Sequence, residues 1–365
     1  MLTSRWRWLV VLAGVAVLVG APAAISAWPV KQSNITAAQL LARIAQSKAT
    51  PYSGYAESSG GLALPVTRQL SSVADLFGET TQMRAWWRDD TSWRLDTITF
   101  AGETDTHGTP CGTWQWDYES NRATFTEQCG PVDVRLPQAG DLLPTNLARR
   151  LLSEATPDEI SRISAVRVAG RSAPGLRLTP KAAQSTVGHV DLWADLATGL
   201  PLRVEVYGKG SNTSVLSSKF LEFSTRMPST DDVTFKRPPG AHVSRQNAPD
   251  LAAAIDRFGG VTPPAELAGL PRNQALPSIG SIGVYGTGVT EFAAAPLPDR
   301  VEDALGDQLR KAAVRTPAGL ATSIGPLSLL LTPDVSGSAW LLTGTVTAET
   351  LAQAAAHLPP STEFR

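Results

Sequence analysis

The chain has 365 residues, room for two domains, since single cores rarely grow beyond ~250–300 residues. Its formal charge is −1 and only 18 % of its residues are charged, so it lacks the electrostatic footprint of a nucleic-acid-binding protein. Its 27 prolines and 30 glycines describe a soluble, turn-rich protein.

At the N-terminus, Arg5 and Arg7 precede an uncharged run from Trp8 to Ala27. A basic start, an apolar stretch and the small residues Ala21-Pro22-Ala23 fit a signal peptide. The same stretch, at roughly 1.5 Å per residue, also suffices to cross the ~30 Å core of a bilayer as a retained membrane anchor. The positive-inside rule would then keep Arg5 and Arg7 in the cytoplasm. Both readings of residues 1–30 stay open. Either one places the remaining chain in the extracytoplasmic cell envelope, secreted or anchored to the cytoplasmic membrane.

Residues 36–47 put Leu40, Leu41 and Ile44 on one face behind a possible Thr36 cap, which predicts a short amphipathic helix. Pro51 ends it, and PYSGYAESSGGLALP reads as a strand. Between Glu79 and Cys129, alternating runs broken by Asp, Asn, Ser and Gly predict an antiparallel meander of short strands. That block holds Trp86, Trp87, Trp93, Trp114 and Trp116, half of the chain's 10 tryptophans. Trp114 and Trp116 must share a sheet face, while Trp86 and Trp87 must oppose one another. For any single indole, ordinary core packing is the simpler reading. Taken together they offer more ring area than one sheet face needs, and predict an apolar cavity.

Cys111 and Cys129 flank a turn near Glu119–Arg122, so in an exported chain they are expected to form a disulfide across adjacent strands. Without nearby histidines, two cysteines are too few ligands for structural zinc. Residues 142–160 return to helical spacing, with Leu147 and Leu151 apolar, Arg149 and Arg150 turned away, and Pro144 near the start. Strands resume from Ile163, including a hairpin that turns at Asp195–Leu200. Residues 241–275 read as a linker with a short helix at APDLAAAIDRFG. Residues 276–365 read as a small α+β domain in the order strand, helix at Val301–Val314, strand, strand, and a final helix behind Thr347.

Catalytic signals are sparse. Gly286 and Gly288 lack the third glycine and following helix of a nucleotide loop, and read as a bulged or flexible strand. The four histidines, His107, His189, His242 and His357, are far apart and fit no ligand spacing. Ser58-Ser59-Gly60-Gly61 is no nucleophile elbow. No catalytic residue, metal or cofactor is expected, although carboxylates meeting in space would keep an extracytoplasmic hydrolase as an alternative.

Five strings carry a family resemblance. PYSGYAESSGGLALP, with the meander strings WWRDDTSWRLD and GTWQWDYESN, resembles the N-terminal domain of the MucB/RseB family of sigma-E regulatory proteins, itself similar to the lipoprotein carriers LolA and LolB. The hairpin HVDLWADLATGLPLRVEVYG, with Trp193, Asp195, Gly199, Leu200, Pro201, Leu202 and Arg203, is similar to a strand pair shared by those carriers and regulators. SAWLLTGTVTAETLAQAAAHL resembles the end of the family's small C-terminal domain. The resemblance implies an α+β fold in which a large incomplete antiparallel β-barrel, a half-barrel over residues 33–240, is covered by helices. It also implies an apolar lipid or lipoprotein-like ligand and an anti-sigma factor as a single-span membrane partner. A lipoprotein or lipid carrier of the envelope is the alternative within the same resemblance.

On this reading the ligand cavity is lined by Trp86, Leu95, Trp114, Trp116, Leu192, Val204 and Val206, with Leu147 and Leu151 on a lid helix.

Overall fold

A computed structural model describes residues 30–62, 71–99, 102–129, 135–248, 262–273, 281–297, 305–310, 313–333 and 339–359. The expected signal or anchor segment falls almost wholly at residues 1–29, outside the described residues, as do nearly all of the expected linker helix and Val301. Among the described residues no helix is long and apolar enough to cross a membrane.

Helix α1 (Ala37–Gln46) starts where expected. Thr36 accepts the Gln39 N–H, and the Gln39 side chain returns the bond to the Thr36 N–H. Its Leu40 and Ile44, one turn apart, are buried. Strand β1 (Tyr52–Gly60) follows, then a helix the sequence reading missed, α2 (Ser71–Gly78), and the meander β2 (Thr80–Asp89), β3 (Ser92–Thr99), β4 (Gly102–Thr109), β5 (Gly112–Asp117) and β6 (Arg122–Glu127). Its turns have local chemical causes. Asp89 Oδ1 accepts the Thr91 N–H at 2.8 Å and Asp117 Oδ1 accepts the Ser120 N–H at 2.8 Å. Cys111 and Cys129 are joined in a disulfide, with their Cα atoms 4.3 Å apart.

Helix α3 (Pro144–Leu152) carries Pro144 at its first turn. Then come β7 (Ile160–Val168), β8 (Arg171–Leu178), β9 (Val187–Ala194), β10 (Pro201–Gly208) and β11 (Ser214–Ser224). The single turn α4 (Thr230–Val233) and β12 (His242–Asn247), also missed, complete this half.

These strands make one open sheet of 12, in the order β12-β6-β5-β4-β3-β2-β1-β11-β10-β9-β8-β7. All its pairs are antiparallel except β12 on β6, and its two outermost strands do not meet. Helix α3 packs on β10 and β11, and α1 on β7 and β8, so one face of the curved sheet is covered. The expected α+β half-barrel is this sheet with its helices.

The C-terminal part builds a second sheet of six strands: β15 (Gly283–Thr287), β16 (Thr290–Leu297), β17 (Val314–Thr316), β18 (Gly319–Ile324), β19 (Leu327–Leu331) and β20 (Ala339–Gly344). Helix α5 (Ala348–Ala355), capped by Thr347, packs on it. Two runs read as single strands are hairpins. Gly288, at φ 63°, supplies the left-handed residue of a two-residue turn between β15 and β16, and Gly325, at φ 58°, does so between β18 and β19. The expected helix is described only at 305–309, with Leu305 and Leu309 buried, and Val314 opens β17 instead.

The expected linker contributes structure at both ends. β12 extends the large sheet beyond residue 240. The small hairpin β13 (Glu266–Leu267) and β14 (Leu270–Pro271) places Leu267 and Leu270 in the core of the small sheet.

Candidate functional site

Pairing register sorts the expected lining residues. In a pleated sheet, directly paired residues share a face. Ala85 pairs with Leu95, Leu176 with Leu192, Leu192 with Val204 and Val190 with Val206, and all lie in the core beneath the helices. Leu147 belongs to that core and Leu151 packs against it. A second rung runs Ser53–Trp86–Arg94–His107–Trp114–Phe125, and Asp105 pairs with Trp116. Trp86, Trp114 and Trp116 therefore sit on the opposite face from Leu95. This corrects the nine-residue lining, because one hollow cannot take side chains from both faces of a strand.

The indoles of the covered face are Trp87 and Trp93, which the sequence reading did not select. Trp87 stacks on Trp93 with centroids 5.8 Å apart, and on Tyr52 at 6.3 Å. Phe220 and Phe223 join them although three positions apart on one strand, a spacing that ordinarily opposes two side chains. A bulge resolves this: Glu222 pairs with Tyr55 and Phe220 with Ala56, leaving Leu221 as the extra residue. Gly54 makes room, since a Cβ there would stand 2.8 Å from Phe220 Cδ1.

Helix α3 closes this face. Leu142, Leu147, Ala148 and Leu152 are buried against the sheet. Two buried hydrogen bonds hold the helix and the turn before it: Tyr52 Oη to Thr145 Oγ1 at 2.8 Å, and Ser218 Oγ donating to the Leu142 carbonyl at 2.5 Å. Burial pushes the Tyr52 phenol up to about 12. Arg149, expected to turn away, is half-buried and donates from Nη2 to the Ser47 carbonyl at 3.2 Å; the same burial pulls its pKa down. Among the described residues six buried side-chain polar atoms have no hydrogen-bond partner, and three of them lie on or near α3: Ser58 Oγ on a strand residue paired with Ser218, Trp87 Nε1 beside Tyr52, and Arg149 Nε on the helix itself. An unpaired buried donor costs roughly 1–3 kcal/mol, so this closed arrangement carries a penalty.

The end of α3 is tied to the small sheet. Glu154 accepts the Gly288 N–H at 2.8 Å and an Asn273 Nδ2–H at 3.3 Å. Asn273 also donates to Glu291 at 3.1 Å, and Arg150 reaches Glu291 at 3.5 Å. Val289, at the tip of the β15–β16 hairpin, is the one described residue of the small sheet within the large core. Beside it, an isolated bridge joins Ser185 to Val346.

The opposite face, which α4 covers in part, carries charge instead. Arg94 Nε and Nη2 clamp Asp96 at 2.6 and 2.8 Å, and Nη2 reaches Asp105 at 3.0 Å, with the Trp86 ring 5.0 Å above the guanidinium. Burial, then the Asp96 charge, pushes Asp105 up to about 7. His107 donates from Nδ1 to the Val233 carbonyl at 2.8 Å, which spends the ring on holding α4. Trp114 stacks on Phe235 at 4.7 Å. Carboxylate oxygens of Asp96, Glu103 and Asp105 lie within 4.8 Å of one another, the spacing of a cation site. Arg94 already bonds two of them, Asp96 and Asp105, so the group is an ion-paired patch. For the hydrolase alternative, the two carboxylates do converge, but onto a guanidinium rather than into a pocket.

No protein-family profile and no curated protein matches the chain. Among solved structures, MucB in complex with MucA(peri) aligns over 90% of this chain and 100% of that chain, at 16% identity and a TM-score of 0.49. The MucA/MucB complex of Pseudomonas aeruginosa covers 90% and 99%, at 16% identity and 0.48. A LolA superfamily protein from Nitrosomonas europaea covers 55% and 98%, at 10% identity and 0.25. MucB and LolA-superfamily proteins are thus among the solved structures it is similar to. These are the two groups that the sequence strings resemble, and likeness at this distance assigns no activity.

Proposed function

We propose that this chain is a non-enzymatic protein of the cell envelope whose large sheet takes an apolar, acyl-chain ligand in place of α3. The reading assigns binding to a half-barrel domain over 33–240 and partner contact to the small α+β domain over 276–365. The observation that carries it is the set of three unpartnered polar atoms, Ser58 Oγ, Trp87 Nε1 and Arg149 Nε, around one short amphipathic helix. A plug that leaves donors unpaired is held less firmly than its apolar contacts imply.

Magnitudes favour exchange. Burying an acyl chain gains ~0.8 kcal/mol per methylene, so a twelve-carbon chain supplies about 10 kcal/mol before ordering costs. Lifting α3 re-exposes Ala148, Leu147 and Leu152, the leucines at roughly 1.5–3 kcal/mol each, and breaks the Tyr52–Thr145 hydrogen bond, worth about 1 kcal/mol. The ligand wins that comparison, and its differential affinity shifts the lid equilibrium. Because Glu154 and Val289 join the lid to the small sheet, displacement would alter the surface offered to a membrane partner. The sequence resemblance supports an anti-sigma factor as that partner. Regulation is preferred over carriage because the second domain gives ligand binding something to act on.

The test is native mass spectrometry of the exported chain with a single-chain lysophospholipid, beside mass spectrometry of its organic extract. One lipid retained per chain, and retained more tightly when Ala148→Trp overpacks the buried face of α3 and favours its displacement, supports the proposal. Retention of no lipid in either experiment removes it. Capture of a single-span membrane protein whose yield changes with lipid would separate regulator from carrier.

A further inference from the structure

The large and the small sheet each end in two outer strands, and an open edge is a template for further pairing. Three of these four edges are closed or cut short. Along β7 the register breaks between Ile163 and Val166, and Gln32 Oε1 accepts the Ala165 N–H at 3.1 Å. Outside β15 the Asn273 N–H donates to the Val284 carbonyl at 2.8 Å, and Arg272 bridges Tyr285. Strand β17 is only three residues long. β12 has none of these devices: it is six residues long, free of proline, and paired to β6 in unbroken register.

Its open side offers a defined set of donors and acceptors. At the two ends of the strand the His242 N–H donates to the Asn121 carbonyl at 3.0 Å, and the Ala248 N–H to the Glu127 carbonyl at 2.9 Å. Peptide groups alternate along a strand, so the even-numbered residues bond β6 while Val243, Arg245 and Asn247 turn theirs outward. Among the described residues no strand pairs with that side. Ser244 Oγ lies 3.0 Å from Thr124 Oγ1, and Gln246 Nε2 donates to Thr126 Oγ1 at 3.1 Å, which fixes β12 to β6 from one face. On the other face Val243 is exposed, and the Arg245 guanidinium lies 5.5 Å from the Phe125 ring centre. Among the described residues no carboxylate pairs with Arg245.

We propose that β12 accepts an extended segment of a partner protein as an added antiparallel strand, selected by an acidic side chain opposite Arg245 and an apolar one opposite Val243. Backbone pairing supplies the affinity, and the two side-chain positions supply the selectivity. Directly opposed residues share a face and antiparallel chains run in reverse, so the acidic residue precedes the apolar one by two positions. β12 itself contains no acidic residue, so the same strand of a second copy would leave Arg245 unpaired. The edge is separate from the sheet face beneath α3, and this inference does not depend on the function proposed above.

The experiment is amide NMR on the deuterated, nitrogen-15-labelled exported chain, titrated with the blocked synthetic peptide Thr-Thr-Glu-Thr-Val-Thr. The control peptide carries lysine in place of glutamate. The glutamate peptide should move the Val243, Arg245 and Asn247 amide signals saturably, and the lysine peptide should bind about fivefold more weakly. Arg245→Gln should erase that preference, and Arg245→Glu should invert it. Val243→Pro removes one outward N–H without touching the bonds to β6, and should abolish binding of both peptides. The Arg245 changes alter an exposed side chain, so they keep the test valid should Val243→Pro disturb the strand. Three results overturn the proposal: β12 signals unmoved by the glutamate peptide, equal affinity for the two peptides, or shifts confined to other strands. A dimer of the chain alone in sedimentation, lost in Val243→Pro, would assign the edge to a second copy and equally overturn it. The peptides carry no acyl chain, so none of these outcomes bears on lipid binding under α3.

Discussion

Glu154 Oε2 accepts the Gly288 N–H at 2.8 Å, which links the turn after the covering helix to the hairpin tip of the small sheet. The bond is charge-assisted and partly buried, and Val289 follows directly into the large core. The covering helix and the second sheet are therefore mechanically joined.

Glu154→Ala should weaken this junction by about 1–3 kcal/mol, the range for a hydrogen bond to a charged group. In calorimetry the small half should then unfold in an earlier, separate transition, with Glu154→Gln intermediate. An unchanged thermogram for the alanine variant would mean that the contact does not join the halves.

Asp105 gives stability a pH dependence of defined sign. Its carboxyl titrates near 7 when folded, against an unfolded value of 3.8. Between those values the folded chain holds a proton that the unfolded chain has released, so stability falls as pH rises through that window. Glu291, raised by burial, acts in the same direction. Asp105→Asn should flatten the melting temperature between pH 5 and pH 8, and its advantage over the parent should grow with pH. A variant advantage that shrinks with pH would contradict this.

Gly54→Ala tests the bulge. The new Cβ would stand 2.6 Å from the Glu222 carbonyl oxygen and 2.8 Å from Phe220 Cδ1, and backbone cannot swing aside as a side-chain end can. A loss of about 1–3 kcal/mol is expected from overpacking. The urea midpoint measures it, and a neutral result would mean that Phe220 has another place to go.

The Cys111–Cys129 bridge spans a sequence separation of 18. Closing a loop of that size restricts the unfolded chain, and replacing both cysteines by serine should cost roughly 3 kcal/mol. Reductant should lower the parent to the level of the double variant and leave that variant unmoved. Equal denaturation curves for oxidised and reduced parent would remove the effect.

Most elements of the large sheet were legible in the sequence because their causes are local. Thr36 and Gln39 announce α1, Pro144 begins α3, and Asp89 and Asp117 mark their own turns. What was missed had non-local causes. β12 is exposed along its whole length and is held by pairing with β6, so it carries no alternation to read. The hairpin split at Gly288 was hidden because a glycine with positive φ is invisible until the chain reverses around it.

Local chemistry alone predicted a sheet-rich chain with its cysteines paired, and the fold bears out both. It also required Trp86 and Trp87 to part company, since successive strand residues point to opposite sides. Which of them went inward was settled only by the fold, through the rung that sets Trp87 against Tyr52. Alternation defines two faces without naming either, and that choice belongs to partners distant in the chain.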